Sequence, residues 1–140
     1  MKKRGFGQGK WNGVGGKVEP GETIVAAAMR ECHEEIGVIP KEPRLVGHLD
    51  FYDQAEPDFH FSSYVYVSTA WQGEPIETDE MQPQWFKTDE IPYEQMWADD
   101  PFWLPYLLDD KQFSGTVTLN GDELVEQQIK VVDKLEVSRD

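Results

Sequence analysis

Residues 20–37, PGETIVAAAMRECHEEIG, constrain this chain more than any other stretch, because they hold both ends of a helix within one short run. The turn signal VEPGET hands over to a helix that starts near Thr23, runs to about Ile36 and is stopped by Gly37. Val25, Met29, Cys32 and Ile36 recur at heptad spacing and form its predicted apolar stripe. Glu31, Glu34 and Glu35 are spaced so that their carboxylates share one face, well round the helix from that stripe. Like charges placed this way repel by roughly 0.2–0.5 kcal/mol per pair in water, and by more where the face turns inward.

The rest of the chain narrows what such a helix can serve. A length of 140 residues, 39% of them hydrophobic and 12% aromatic, suits one globular domain spanning residues 1–140. The formal charge of −14 argues against a nucleic-acid polymer as partner, since gripping a phosphate backbone takes clustered Lys and Arg. A small anionic substrate would instead need a bridging cation. Cys32 is the single cysteine, which excludes an intrachain disulfide and a Cys-rich zinc site and fits a reducing cytoplasm. No run is long enough to span a bilayer, and the basic start MKKRGFGQGKW has no apolar stretch behind it, so neither membrane nor secretion is expected.

Along the chain, residues 1–16 read as a strand fragment entering a glycine-rich loop. RLVGHLDFY and FHFSSYVYVSTAW read as strands about the polar turn DQAEPD. MQPQWFKTDEIP reads as a short strand leading into a helix start, and YEQMWADDPFWLPYLLDD as a helical segment interrupted by Pro101 and Pro105. FSGTVTLNGDELVEQQIKVV is a hairpin about Asn120-Gly121. Strands and helices interleave without strict alternation, which favours an α+β fold with a mixed sheet. His33 should be solvated, His48 and His60 lack a partner pattern, and Cys32 is a packing residue.

From Gly16 the sequence GKVEPGETIVAAAMRECHEEIGV places Glu22 after five residues, Arg30-Glu31 after seven more, then Glu34-Glu35, Gly37 and Val38. Residues 16–38 thus resemble the Nudix box at every charged and glycine position, with Cys32 where that family usually has Ile, Leu or Val. The resemblance implies a Nudix fold, an α/β/α sandwich with its mixed sheet between the box helix and a helix near residues 92–110, and hydrolysis at a phosphate chain. The chemistry agrees. Hard carboxylate oxygens on a rigid helix suit Mg²⁺, with Mn²⁺ as substitute, and the three glutamates are expected to repel one another until the metal arrives. Arg30, one turn before Glu34, is placed to pair with it. Glu34 and Glu35 are the implied main ligands, Glu31 a ligand or general base, the Gly16 carbonyl a further ligand, and Glu80 the alternative base.

KKRGFGQGKWNGVGGKV, ETDEMQPQWF, MWADDPFWLP and the terminal hairpin are further similar to the animal-type oxidised purine nucleoside triphosphatases of that family. This implies conversion of an oxidised purine nucleoside triphosphate (8-oxo-dGTP or 2-hydroxy-dATP class) to monophosphate and pyrophosphate. Asn12, Trp97, Asp99 and Asp100 would form the base pocket, Phe51, Met81 and Trp103 its walls, and Lys2 would lie near the nucleotide. Trp97 offers a stacking face and two adjacent carboxyls can share a proton, giving one donor and one acceptor. The bland reading makes Trp97 a core residue and Asp99 and Asp100 caps of the turn before Pro101. Two rival functions stay open: hydrolysis of another nucleoside diphosphate derivative such as ADP-ribose or a dinucleoside polyphosphate, and a non-catalytic nucleotide-binding module. The resemblance also implies a first strand ahead of KKRGFG, so the expectation is either a truncated start or an open sheet edge that pairs with another chain, by strand exchange or dimerisation, or with a rearranged segment.

Overall fold

The structure, a computed structural model, describes residues 1–4 and 8–135. Its contacts divide the described residues into two compact units, one of Met1–Arg44 and Tyr66–Met96, the other of Leu45–Val65 and residues 97–135. The secondary structure is α+β and the larger sheet is mixed.

In the first unit the helix α1 spans Ile24–Ile36. Thr23 caps it by accepting a hydrogen bond from the Ala26 N–H at 3.1 Å, and Gly37, at φ 76°, supplies the left-handed residue that ends it. The buried side is not the expected stripe. Ile24, Ala27, Cys32 and Glu35 face inward, whereas Val25, Met29 and Ile36 are only half-buried. The inward side is thus rotated by about one residue from the heptad row. It carries a carboxylate because the neighbouring loop satisfies that charge, as described below. Two short strands, β1 (Ile39–Lys41) and β4 (Ala70–Gln72), pair antiparallel in this unit. The expected strand at Met81 reduces to a single bridge with Lys2, flanked by Lys3 N–H to Glu80 O and Gln82 N–H to Met1 O, each at 2.9 Å. Pro83 has no N–H with which to carry the ladder further.

The second unit is built on β2 (Arg44–Asp53), β3 (Glu56–Val67), β5 (Gln112–Asn120) and β6 (Glu123–Val132), in the order β3-β2-β5-β6. β2 runs parallel to β5, and β5 antiparallel to β6. The β5–β6 hairpin forms as predicted, displaced by one residue: Asn120 pairs with Glu123, leaving Gly121 and Asp122 as the loop, with Gly121 at φ 63°. Asp53 ties two turns together by accepting from the Ala55 N–H at 2.9 Å and the Gly121 N–H at 3.2 Å.

Helix α2 spans Asp100–Leu108 without interruption, preceded by a separate single 3-10 turn at Tyr93–Gln95. Pro101 sits in the first turn, where an N–H would have had no helical partner, and Pro105 costs the helix one bond without ending it. In α2 the Trp103 indole stacks on Phe113 of β5 at 5.5 Å between ring centroids. Phe113, fully buried, can lie where it does because Gly47, its register partner on β2, has no side chain. A Cβ there would fall 2.2 Å from the ring. Gly47→Ala is therefore expected to destabilise the protein by about 1–3 kcal/mol, read as a lowered midpoint in urea at unchanged slope. An unchanged midpoint would show that Phe113 has room to move.

Candidate active site

Of the predicted metal and catalytic residues, Gly16, Glu31, Glu34, Glu35 and Glu80 all lie in the first unit, with Lys2, Asn12 and Met81. The three box glutamates do not share one environment. Glu34 is 55% exposed at its side chain, Glu31 17% and Glu35 1%. Each has a basic partner, yet the expected repulsion persists between Glu31 and Glu35, where it helps to push the Glu35 pKa up. Arg30 donates through Nη1 to Glu31 at 2.9 Å and to Glu34 at 3.2 Å. Its Nε and Nη2 form a fork on Glu22, at 2.8 and 3.1 Å, and Nη2 also reaches the Lys17 carbonyl at 3.1 Å. This network holds the Arg30 guanidinium firmly protonated and pulls the Glu22 carboxyl below its ordinary pKa.

Glu35 is neutralised separately. Its Oε1 accepts from the Gly15 N–H at 2.9 Å and its Oε2 from Lys2 Nζ at 3.3 Å. Burial pushes its pKa up, while the Gly15 bond and the Lys2 charge oppose that shift. Its main-chain carbonyl accepts from the Thr78 hydroxyl at 2.6 Å, tying α1 to the segment that carries Glu80 and Met81. Glu80, with its side chain 43% exposed, lies 3.4 Å from Arg4 Nη2, and Met81 is buried. Asn12 is exposed in the loop before Gly16.

The Gly16 position tests whether these donors suit a cation. A Cβ at Gly16 would fall 2.4 Å from the Glu31 carboxyl carbon and within 2.7 Å of both its oxygens, so only glycine leaves that carboxylate its place beside the loop backbone. The donors are hard oxygens, right in kind for a divalent ion. Basic side chains and the Gly15 N–H now partner these carboxylates, and among the described residues no group of three or more His, Cys, Asp or Glu converges closely enough to hold a metal.

The second unit holds Phe51, Trp97, Asp99, Asp100 and Trp103. Asp99 and Asp100 are 2% and 6% exposed. Asp99 stands at the N-cap position of α2, but its side chain makes no cap hydrogen bond. Its Oδ2 instead accepts from the Trp103 indole N–H at 2.8 Å, while the Asp100 N–H donates to the Trp97 carbonyl at 3.1 Å. Burial pushes both carboxyls up, Asp100 to about 7, with repulsion from Asp99 adding to the effect. The Trp103 indole opposes the rise at both carboxyls, and two adjacent buried acids titrate as a pair. Phe51 stacks on Phe61 at 4.8 Å, and Trp97 is half-buried.

Some contacts were not foreseen. The Gly15 N–H and Thr78 hydroxyl have no signal in the sequence, whereas the Asp99–Trp103 bond joins residues four apart at a helix start, a spacing that could have been read. The His48 and His60 rings stack on Tyr64 and Tyr52, and both Nε2 atoms face Asp50 Oδ1, at 3.5 and 3.7 Å, with His48 Nε2 buried and making no hydrogen bond among the described residues. Cys32 is buried and His33 exposed, as expected.

This glutamate helix, closed by Gly37 and laced to Glu22 by Arg30, belongs to a known family. The NUDIX domain model matches residues 1–107, and the chain is a member of the Nudix family and a hydrolase of that family. It is 46% identical over 136 residues to an oxidized purine nucleoside triphosphate hydrolase of Danio rerio, covering 96% of this chain and 86% of that protein. The Mus musculus protein of the same name is 41% identical over 134 residues, with 95% and 85% covered. A mutator MutT protein from Bacillus halodurans has a similar solved structure, with a TM-score of 0.79 at 28% identity, covering 87% of this chain and 83% of that one. The fold is accordingly the α+β Nudix fold, and hydrolases of this family generally use divalent metal ions. Among the described residues, no helix is long and apolar enough to cross a membrane.

Proposed function

We propose that residues 1–140 form one Nudix domain that hydrolyses oxidised purine nucleoside triphosphates to the monophosphate and pyrophosphate, a sanitising activity on the nucleotide pool in the cytoplasm. The observation that carries this reading is the buried Asp99–Asp100 pair, with Asp100 pushed up to about 7. A pair holding one proton presents a donor beside an acceptor, which suits the edge of an oxidised guanine, where N–H groups stand next to a carbonyl. The names of the zebrafish and mouse relatives support the same substrate class.

In this reading Trp97 stacks on the base, and Phe51 and Trp103 line its pocket. Glu31, Glu34, Glu35 and the Gly16 carbonyl would hold Mg²⁺, or Mn²⁺ in its place. When bound, the ion supplies neutralisation of the phosphate charge and of the leaving group. Arg30 holds Glu31 and Glu34 in position. Glu31, or Glu80 from outside the helix, takes the proton of the attacking water.

The test is pyrophosphate release with Mg²⁺ across oxidised and normal purine triphosphates, with ADP-ribose and a dinucleoside polyphosphate as controls for hydrolysis by their own products. Oxidised purines are expected to lead the panel, and chelation of the metal to abolish turnover. Equal rates on normal purines, or a preference for ADP-ribose, would overturn the substrate assignment.

A further inference from the structure

Arg30 and Lys2 both neutralise the box glutamates, but they are held very differently. The Arg30 guanidinium is spread over Glu22, Glu31, Glu34 and the Lys17 carbonyl, so losing one contact leaves it anchored. Among the described residues, the Lys2 ammonium is hydrogen-bonded to Glu35 Oε2 alone, at 3.3 Å. The backbone beneath it is fixed: the Lys2 N–H donates to the Lys10 carbonyl at 3.0 Å, its carbonyl accepts from the Gly9 N–H at 2.9 Å, and it bridges to Met81. A clamped main chain thus delivers a single positive charge, on a flexible four-carbon stem, to a carboxylate that is 1% exposed. The other Glu35 oxygen belongs to the Gly15 N–H. Oε2 is therefore the atom at which one cation can replace another without disturbing the main chain.

We propose that Lys2 is the resident counter-cation of Glu35, a monovalent placeholder at Oε2 that a divalent cation must displace. Lys2 then sets how tightly the glutamate face holds metal before any nucleotide arrives. Once released from Glu35, its ammonium is free to meet an anionic phosphate, so metal and nucleotide reinforce each other's binding. The inference rests on Glu35 being a metal ligand, and the experiment separates the two statements.

Mg²⁺ alone and Mn²⁺ alone are titrated calorimetrically, without nucleotide and at mildly alkaline pH, into the parent, Lys2→Met and Glu35→Gln proteins. The lysine side-chain NMR signals of the parent are followed through the same titration. Lys2→Met keeps an unbranched stem and removes the competing charge, so it is expected to bind metal at least about fivefold more tightly than the parent. Glu35→Gln should bind more weakly, and the Lys2 ε-methylene signal should shift as metal is added. Should Lys2→Met fail to fold, Lys2→Arg serves. Its planar fork grips a carboxylate better than an ammonium does, so metal affinity should fall below that of the parent. Equal or weaker affinity in Lys2→Met with Glu35→Gln still impaired would overturn the placeholder and leave the ligand assignment standing. Parental affinity in Glu35→Gln would overturn the ligand assignment itself.

Discussion

Glu35→Gln is expected to leave the protein folded and to cut turnover by on the order of 10²- to 10³-fold, the scale of losing one preorganised electrostatic partner of a transition state. The fold should survive because Gln keeps an oxygen for the Gly15 N–H, keeps the volume of a side chain that is 1% exposed, and keeps helix propensity within α1. It also relieves the protein of an ion whose burial pushes its pKa up. What Gln cannot do is offer a second anionic oxygen where Lys2 now sits. The assay is initial rate at limiting Mg²⁺ alongside thermal melting. A near-parental rate with an intact melt would remove Glu35 from the metal set. Lost activity with a collapsed melt would mean that the ion pair with Lys2 matters chiefly for folding.

Affinity for the oxidised monophosphate product is expected to fall as pH rises through about 7, the region to which Asp100 is pushed. The proton shared by the Asp99–Asp100 pair is lost there, and two ionised carboxylates would face the base carbonyl. Stability should follow the same window. A carboxyl whose folded pKa lies above its unfolded value binds more protons when folded, so its stabilising contribution is full below the ordinary aspartate pKa and is lost as pH rises through about 7. Asp100→Asn removes the ionisable group and should gain on the parent above that range, by up to on the order of 4 kcal/mol. Asp99→Asn replaces the acceptor of the Trp103 indole bond and should lose base selection with little change in metal affinity. Binding of the product against pH, for the parent and both variants, decides the matter. Parental affinities with parental pH profiles would mean that the base is read elsewhere.

The fate of the helix prediction shows why parts of the fold and the site were legible. Thr23 and Gly37 bound α1 as expected, because capping is a local transaction between side chain and backbone within one turn. The β5–β6 hairpin at Asn120–Glu123 was legible for the same reason, since few residue pairs tolerate its turn. The glutamate spacing and the Arg30–Glu34 pair were equally local, set by helical periodicity.

What the sequence could not determine was which side of α1 turns inward. Heptad counting weighs each residue by its own polarity, and so it placed Glu35 outside. Only the tertiary structure supplies the Gly15 N–H and the Lys2 ammonium, twenty and thirty-three residues away in sequence, that make burial of this carboxylate tolerable. The same holds for Asp99 and Asp100. Their adjacency was written in the chain, but the burial that lifts their pKa values, and the Gly47, Phe113 and Trp103 packing behind the indole that reaches Asp99, arise from β2, β5 and α2 coming together. Local order follows from bonds a residue makes with its near neighbours. The charge state of a buried carboxylate depends on groups that only folding brings within reach.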